Sequence, residues 1–318
     1  MSRTHASPVL PDLRGRTALV TGASSGVGVE IARGLAAAGA ALVLPVRDRV
    51  KGERAAQRIR ASVPDPAVDL RELDLARLSS VRALADALRA ERAPLDLLVL
   101  NAGIVLLGDP ERHVSEDGFE LHFQTNFLAH FALTTALLPL LRDRRARVVF
   151  QLSLAAGVSE IRWNDLQSAR RYTPLRAYGA SKVALGLFAC ELARRSAAEG
   201  GGVTVALSHP GVVPDTGMAP ALRERRAGGS SHALAQRLGH TPAQAAQTAL
   251  LAAVAAVPAA PSGPNVAPPF FGPSGLLHFG GAAARQRPYR RIVDRADGAR
   301  IWDVAEQLLA AHADAPAD

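Results

Sequence analysis

Short apolar runs alternate with longer segments of helical periodicity along this 318-residue chain, and that order narrows the fold more than any other feature. The runs are 17–21 (TALVT), 41–46, 68–73, 95–101 (LDLLVLN), 147–152 and 203–208. Helical patterns follow at 27–38, 51–61, 78–92, 118–141, 177–197 and 242–257. When strands alternate with helices, each strand restarts at the same end of the sheet, so pairing is parallel. The runs show little internal polar alternation, as expected for strands covered on both faces. The expectation is therefore an α/β fold with a doubly wound parallel sheet, in a single domain with a C-terminal extension. Pro45 near the end of the second run is awkward, because proline gives no N–H to a ladder. It fits only if the ladder has already ended there. Past the sixth run the texture changes. Residues 214–240 are rich in Gly, Arg and Ser, 258–273 carry many prolines and little regular pattern, and 297–311 are helical again. No repeat or linker divides the chain, which predicts one domain over 14–312 with tails at 1–13 and 313–318.

Composition matters at two points. A net charge of +8 raises the question of nucleic acid. The arginines are scattered, however, and the densest group, 142–147, follows the apolar segment 131–141, where it would face the negative end of a helix. No nucleic-acid partner is expected. The single cysteine, Cys190, excludes an internal disulfide and suits a reducing compartment, and its apolar helical surroundings predict a packing role. Residues 1–11 lack the apolar region of a signal peptide, and the longest apolar run, 248–257, is too short to span a bilayer. A soluble, cytoplasmic chain without a membrane partner is expected.

The first strand and helix are joined by Thr21-Gly-Ala-Ser-Ser-Gly-Val-Gly28. The first N–H groups of a helix are unpaired and its dipole favours an anion, so a pyrophosphate can rest there, and glycines let the backbone come close. Gly22, Gly26 and Gly28 are spaced Gly-x-x-x-Gly-x-Gly, which differs from the G-x-G-x-x-G of other dinucleotide folds. After the second strand, Arg47 would accommodate a ribose 2′-phosphate and points to NADP(H) over NAD(H), whereas the neighbouring Asp48 would suit a free 2′-hydroxyl. Asp74 and Leu75 end the third strand, where Asp74 either contacts an adenine or caps the next segment. Asn101-Ala102-Gly103 ends the fourth, with small residues that would let a cofactor lie against the strand ends.

Lys182 stands out chemically. The chain has two lysines, Lys51 and Lys182, among 37 basic residues, so a lysine at a given basic position is about a one-in-twenty event. An ammonium is a compact point charge, unlike the guanidinium fork used elsewhere in the chain. Lys182 lies four residues after Tyr178 on a predicted helix, so the two share a face. A free phenol has a pKa of about 10, and a nearby cation favours the phenolate.

Taken together, Thr21–Gly28, Asn101–Gly103, Ser153, Tyr178-x-x-x-Lys182 and Pro210-Gly211 resemble, in order and context, the short-chain dehydrogenase/reductase family, over roughly residues 14–312. Arg47-Asp48 with Lys51-Gly52, the stretch from Thr125 to Thr134, Trp163-Asn-Asp-Leu166, and the tail from Phe271 to Trp302 resemble its retinol dehydrogenase-like branch. The resemblance implies a Rossmann fold. It also implies a cofactor held by Gly22, Ser24, Ser25, Gly26, Val27, Gly28, Arg47, Asp74, Leu75, Asn101, Ala102, Gly103, Tyr178, Lys182, Pro210, Gly211 and Val213. Among the catalytic residues, Tyr178 would be the general acid or base, and Lys182 would also grip the nicotinamide ribose. Ser153 would bond the substrate oxygen, and Asn126 would hold a water linking Lys182 to solvent. No metal is implied. Leu100 and Leu152 stand where the family often has Asn and Ser, and one extra residue precedes Thr216, leaving its reach to the cofactor carboxamide open.

The resulting expectation is an NADP(H)-dependent oxidoreductase acting on a carbonyl or alcohol of an apolar or aromatic small molecule. Its pocket would be built by the insert before Tyr178 and by 214–240. The alternative is a non-catalytic NADPH-binding module that acts as a sensor or assembly partner. The helices at 118–141 and 177–197 could form the two-fold bundle of a homodimer.

Overall fold

The computed structural model describes residues 9–214, 239–256 and 267–314. Its sheet has the order β3-β2-β1-β4-β5-β6-β7-β8. The strands are β1 (Thr17–Val20), β2 (Ala41–Val46), β3 (Val68–Glu72), β4 (Leu97–Leu100), β5 (Arg147–Gln151), β6 (Thr204–Ser208), β7 (Phe270–Pro273) and β8 (Ala283–Gln286). Every pairing is parallel except β7 with β8. The chain runs outward from β1 on one side and restarts at β4 on the other. That reversal leaves a crevice at the carboxyl ends of β1 and β4, where doubly wound sheets bind ligands.

The helices are α1 (Gly26–Ala37), α2 (Arg49–Ser62), α3 (Leu78–Ala90), the short α4 (Leu121–Phe123), α5 (Ala129–Asp143), α6 (Ala155–Val158), α7 (Pro174–Ala198), α8 (Pro242–Val254) and α9 (Arg295–Ala313). A π-helical turn, Gln124–Leu128, joins α4 to α5. The helix expected over 118–141 therefore starts later and carries an extra residue in one turn. One apolar cluster packs α3, α5, α7 and α9 on one face of the sheet, and a second packs α1 and α8 on the other. Both faces of the central strands are covered, which accounts for their unbroken apolar runs.

The expectation of little regular structure across 258–273 is corrected at its end, because Phe270–Pro273 is a strand. Pro45 lies within β2 and is tolerated for a specific reason. Ala41 N–H points toward β1 and Leu42 N–H toward β3, so nitrogens alternate and the Pro45 nitrogen faces β1. The β1 ladder stops at Leu19↔Val43, whereas the β3 ladder continues to Val46↔Glu72. The missing N–H falls beyond the last β1–β2 pair and takes nothing from the β3 ladder.

Arginines of the 142–147 group have partners inside the chain. Arg142 pairs with Glu199, and Arg144 with the buried Asp96. Arg147 donates to Ala252 O at 3.1 Å and Ala255 O at 2.7 Å, a cation at the negative end of α8. α9 packs against α5 and α7, its Trp302 ring lying 5.0 Å from Phe131 and 5.6 Å from Phe188. Among the described residues, no helix is long and apolar enough to cross a membrane.

Candidate active site

Thr21 is the hub of the Gly-rich turn. Its Oγ1 accepts the N–H groups of Asn101 and Ala102, each at 3.0 Å, which ties the turn to the end of β4. Asn101 Nδ2 donates back to Thr21 O at 3.0 Å. Gly22 has φ +70 and a Cβ there would lie 2.8 Å from Ala102 Cα. A Cβ on Gly28 would lie 2.2 Å from Gly22 O and 2.6 Å from Asn101 Nδ2. Both contacts forbid a side chain. Ser25 is the N-cap of α1 but its hydroxyl makes no cap bond, and no acidic residue occupies the first turn. Gly26 and Val27 begin this helix, with Ser24 half-buried just before it. The helix N-terminus thus keeps its donors and positive field for an anion, the property a pyrophosphate requires.

The ambiguity after β2 is reduced by geometry. Asp48 caps α2, accepting from Lys51 N at 3.0 Å and pairing with Lys51 Nζ at 3.3 Å. The Lys51 backbone bond is the main cause that holds its carboxyl below the ordinary value. Arg47 is exposed and has no described side-chain partner. Asp74 Oδ1 accepts from Ala76 N at 3.0 Å, which is a turn-closing role, and Leu75 is buried in the core.

The Tyr178–Lys182 face of α7 is buried against β5. Burial raises the Tyr178 pKa, and the neighbouring Ser153 side chain opposes that rise only in part. Burial thus acts against the cation-driven lowering expected from the sequence. Lys182 Nζ donates to Gln151 O at 3.1 Å, and burial lowers its pKa to about 8. Gly103 lets the ammonium approach β4, since a Cβ there would lie 3.2 Å from Nζ and 3.0 Å from Asn126 Oδ1.

Asn126 sits in the π-helical turn, a feature frequent at functional sites. Its Oδ1 accepts from Ile104 N at 2.8 Å, and its Nδ2 donates to Ile104 O and Ser181 Oγ, each at 3.0 Å. The side chain therefore staples the loop after β4 to the residue beside Lys182.

Histidines add connections that sequence reasoning missed. Buried His130 donates from Nδ1 to Asn126 O and accepts at Nε2 from Thr21 Oγ1, both at 3.2 Å. Burial, then the Lys182 charge, lowers its pKa to about 3, so it is neutral. It joins the Gly-rich turn to the π turn, and its place four residues after Asn126 was the available signal. Buried His122 accepts Leu106 N–H at Nε2 and donates from Nδ1 to Glu120 Oε1 at 2.7 Å. Its ring lies edge-on to Tyr178 with centroids 6.3 Å apart. This Glu120–His122 pair fixes the loop that borders the tyrosine.

Pro210, Gly211 and Val213 follow β6 at the same sheet edge, with Gly211 at φ +76 beneath Phe279 O. Thr216 and most of the 214–240 loop lie outside the described residues. The insert before Tyr178 does build a cavity of about 360 Å³, walled by Phe123, Ile161, Leu166, Arg162, Arg176 and Ala180 among others. It lies on the Ala180–Ala184 side of α7 and is lined by none of Ser153, Tyr178 or Lys182. The reaction geometry, not this cavity, marks the candidate centre.

The comparisons agree with this geometry. The family model for short chain dehydrogenases matches residues 16–227. Retinol dehydrogenase 12 of Mus musculus is 44% identical over 200 residues, which cover 63% of this chain and 62% of that protein. The chain thus spans less than two thirds of that relative's length. An uncharacterized protein from Mycobacterium Paratuberculosis is similar in structure, with TM-score 0.74, 34% identity and coverage of 95% of this chain and 96% of that one. A Beutenbergia cavernae structure described as an NAD(P) dependent gluconate 5-dehydrogenase with bound NADP has TM-score 0.61 and 29% identity, covering 76% of this chain and 91% of its own. With its catalytic-type face, phosphate-type cradle and crevice at the strand ends, this chain belongs to the short-chain dehydrogenase family, in its retinol dehydrogenase-like branch.

Proposed function

We propose that the chain is an NADP(H)-dependent oxidoreductase that interconverts a carbonyl and an alcohol on an apolar or aromatic small molecule. The observation that carries this reading is the buried Tyr178, beside Ser153 and on the same helix face as the buried Lys182. The residues fit the cofactor. Gly22 and Gly28 hold a turn too tight for a Cβ, the α1 N-terminus has no side-chain cap bond, and Arg47 is exposed with no side-chain partner among the described residues while Asp48 is committed to a helix cap. The neighbour with bound NADP supports the same choice. When bound, the cofactor supplies or accepts the hydride. Arg47 would meet the 2′-phosphate, the α1 N-terminus the pyrophosphate, and Pro210 to Val213 the nicotinamide side.

The chain's own residues manage the proton. Burial keeps Tyr178 a neutral phenol near neutrality, the form that gives its proton to a carbonyl oxygen during reduction. Ser153 holds that oxygen and stabilises charge on it. Lys182 presents an ammonium to the ribose hydroxyls and favours the phenolate left after transfer. An apolar substrate is supported by the likeness to a retinol dehydrogenase. A reducing, cytoplasmic setting is supported by a single, buried Cys190.

The test is Tyr178→Phe. Turnover of ketones and aldehydes should fall by about 100-fold or more, while NADPH still binds and is preferred over NADH. Wild-type turnover in the variant would refute the tyrosine's role. Tight NADH binding without response to NADPH would refute the reading of Arg47.

A further inference from the structure

His240 is buried and stands one residue before Thr241, the cap of α8. Its backbone N–H donates to Val212 O at 2.8 Å, and Val212 N–H donates to Phe279 O at 2.9 Å. Its ring faces two carbonyl oxygens, with Nδ1 3.1 Å from Pro210 O and Nε2 2.9 Å from Gly281 O. One imidazole thus reaches both the loop after β6 and the β7–β8 hairpin.

The neighbouring His209 gives the contrast. Its Nδ1 accepts Gly211 N–H at 3.3 Å and its Nε2 donates to Gln286 Oε1 at 2.9 Å. One ring proton satisfies both contacts, and burial, helped by the charges of His278 and His240, lowers its pKa to about 4. His240 has no such arrangement. A neutral imidazole carries a single N–H, so one of its two carbonyl contacts then sets a lone pair against an oxygen. Only the imidazolium satisfies both acceptors.

We propose that His240 is a positioning residue whose protonated ring clasps the 210–212 backbone to the β7–β8 hairpin, holding the wall on which the nicotinamide rests. The proposal rests on the cofactor reading above for its functional consequence. Among the described residues, α8, β6 and β7 carry no charged side chain. The titratable or charged groups on the surrounding elements are His209, His278 and Arg285. No described carboxylate holds the His240 charge, so the two carbonyls alone favour it. Such a clasp needs both ring protons, so it closes as the pH falls and loosens as it rises.

The experiment is NADPH affinity between pH 5.5 and 8.5 in wild type and His240→Asn. Titration of the cofactor phosphate and of Lys182 is common to both proteins and cancels in the ratio. Wild type should bind more tightly than the variant by about three- to tenfold at the acid end, and the advantage should shrink toward pH 8.5. A ratio that does not change with pH overturns the proposal. Histidine-labelled, cofactor-free wild type gives a second readout by nitrogen NMR. The His240 ring, assigned from the spectrum of His240→Gln, should show two N–H groups at acid pH and one at alkaline pH. A single N–H throughout overturns the clasp. The two-proton ring in a chain that binds no NADPH would instead sink the cofactor reading and leave the clasp standing.

Discussion

Replacing Lys182 by Met should stabilise the cofactor-free protein near neutral pH while abolishing its activity. Lys182 is 3% exposed, with one hydrogen bond to Gln151 O at 3.1 Å and no described carboxylate partner. Burial lowers its pKa from 10.5 to about 8. Below about pH 8 the amine is charged in both folded and unfolded chains, and the folded state bears the full cost of desolvation. Between 8 and 10.5 the folded chain loses its proton first, so the unfolded state binds more protons and stability rises with pH. The gap between the two pKa values corresponds to about 3 kcal/mol. Methionine fills a similar volume but leaves Gln151 O without its donor, at about 1 kcal/mol. The variant should therefore be more stable by about 2 kcal/mol at pH 7, and its advantage should vanish or reverse by pH 10.5. Urea unfolding at pH 7, 9 and 10.5, with cofactor absent, measures this directly. A stability difference that stays constant across those pH values would refute the argument that charge burial is the cost. The lysine is then a residue kept against the stability of the fold, which is what a functional role predicts.

Two further substitutions probe the cradle and the scaffold. Gly28→Ala places a methyl 2.2 Å from Gly22 O, inside the turn. It should cost about 1–3 kcal/mol and weaken NADPH binding more than tenfold, read by thermal shift and fluorescence titration; unchanged affinity would sink the close-approach argument. Trp302→Ala removes the ring that packs on Phe131 and Phe188 and lies under Arg195, whose guanidinium is 4.2 Å from its centroid. A loss of about 3–5 kcal/mol in denaturant unfolding is expected, and a loss below about 1 kcal/mol would mean α9 is not integral to the core.

Much of the molecule was legible because local chemistry marked it. Five of the six strands through β6 are largely apolar runs, while the edge strand β3 mixes Val68 and Leu70 with exposed Asp69 and Glu72, and Tyr178, Lys182, Ser153 and the Gly-rich turn stand where their spacing put them. What was missed depends on contacts distant in sequence. Phe270–Pro273 holds a glycine and a proline in four residues, and it becomes a strand because β6 lies on one side and β8 on the other. The π turn leaves no mark in the periodicity of 118–141. His122, His130 and His240 sit in apolar or loop sequence where a lone histidine carries no signature. Their roles arise from carbonyls, hydroxyls and N–H groups that the fold brings to them. Burial of Tyr178 raises its pKa against the cation-driven lowering expected from spacing, which shows a neighbouring cation but not the depth of burial.

Pro45 has a consequence for the mouth of the crevice. A residue with an N–H at that position could reach across and extend the β1–β2 ladder by another rung, drawing the two strand ends together. Proline makes that rung impossible, while β2 remains fastened to β3 as far as Val46↔Glu72. The sheet is therefore unzipped on one side only, with a fixed stop at Val43. Arg47, next after the last residue of β2, hangs at the edge of this permanent gap. The opening is held apart by a covalent ring, not by a ligand, so it is shaped before anything binds.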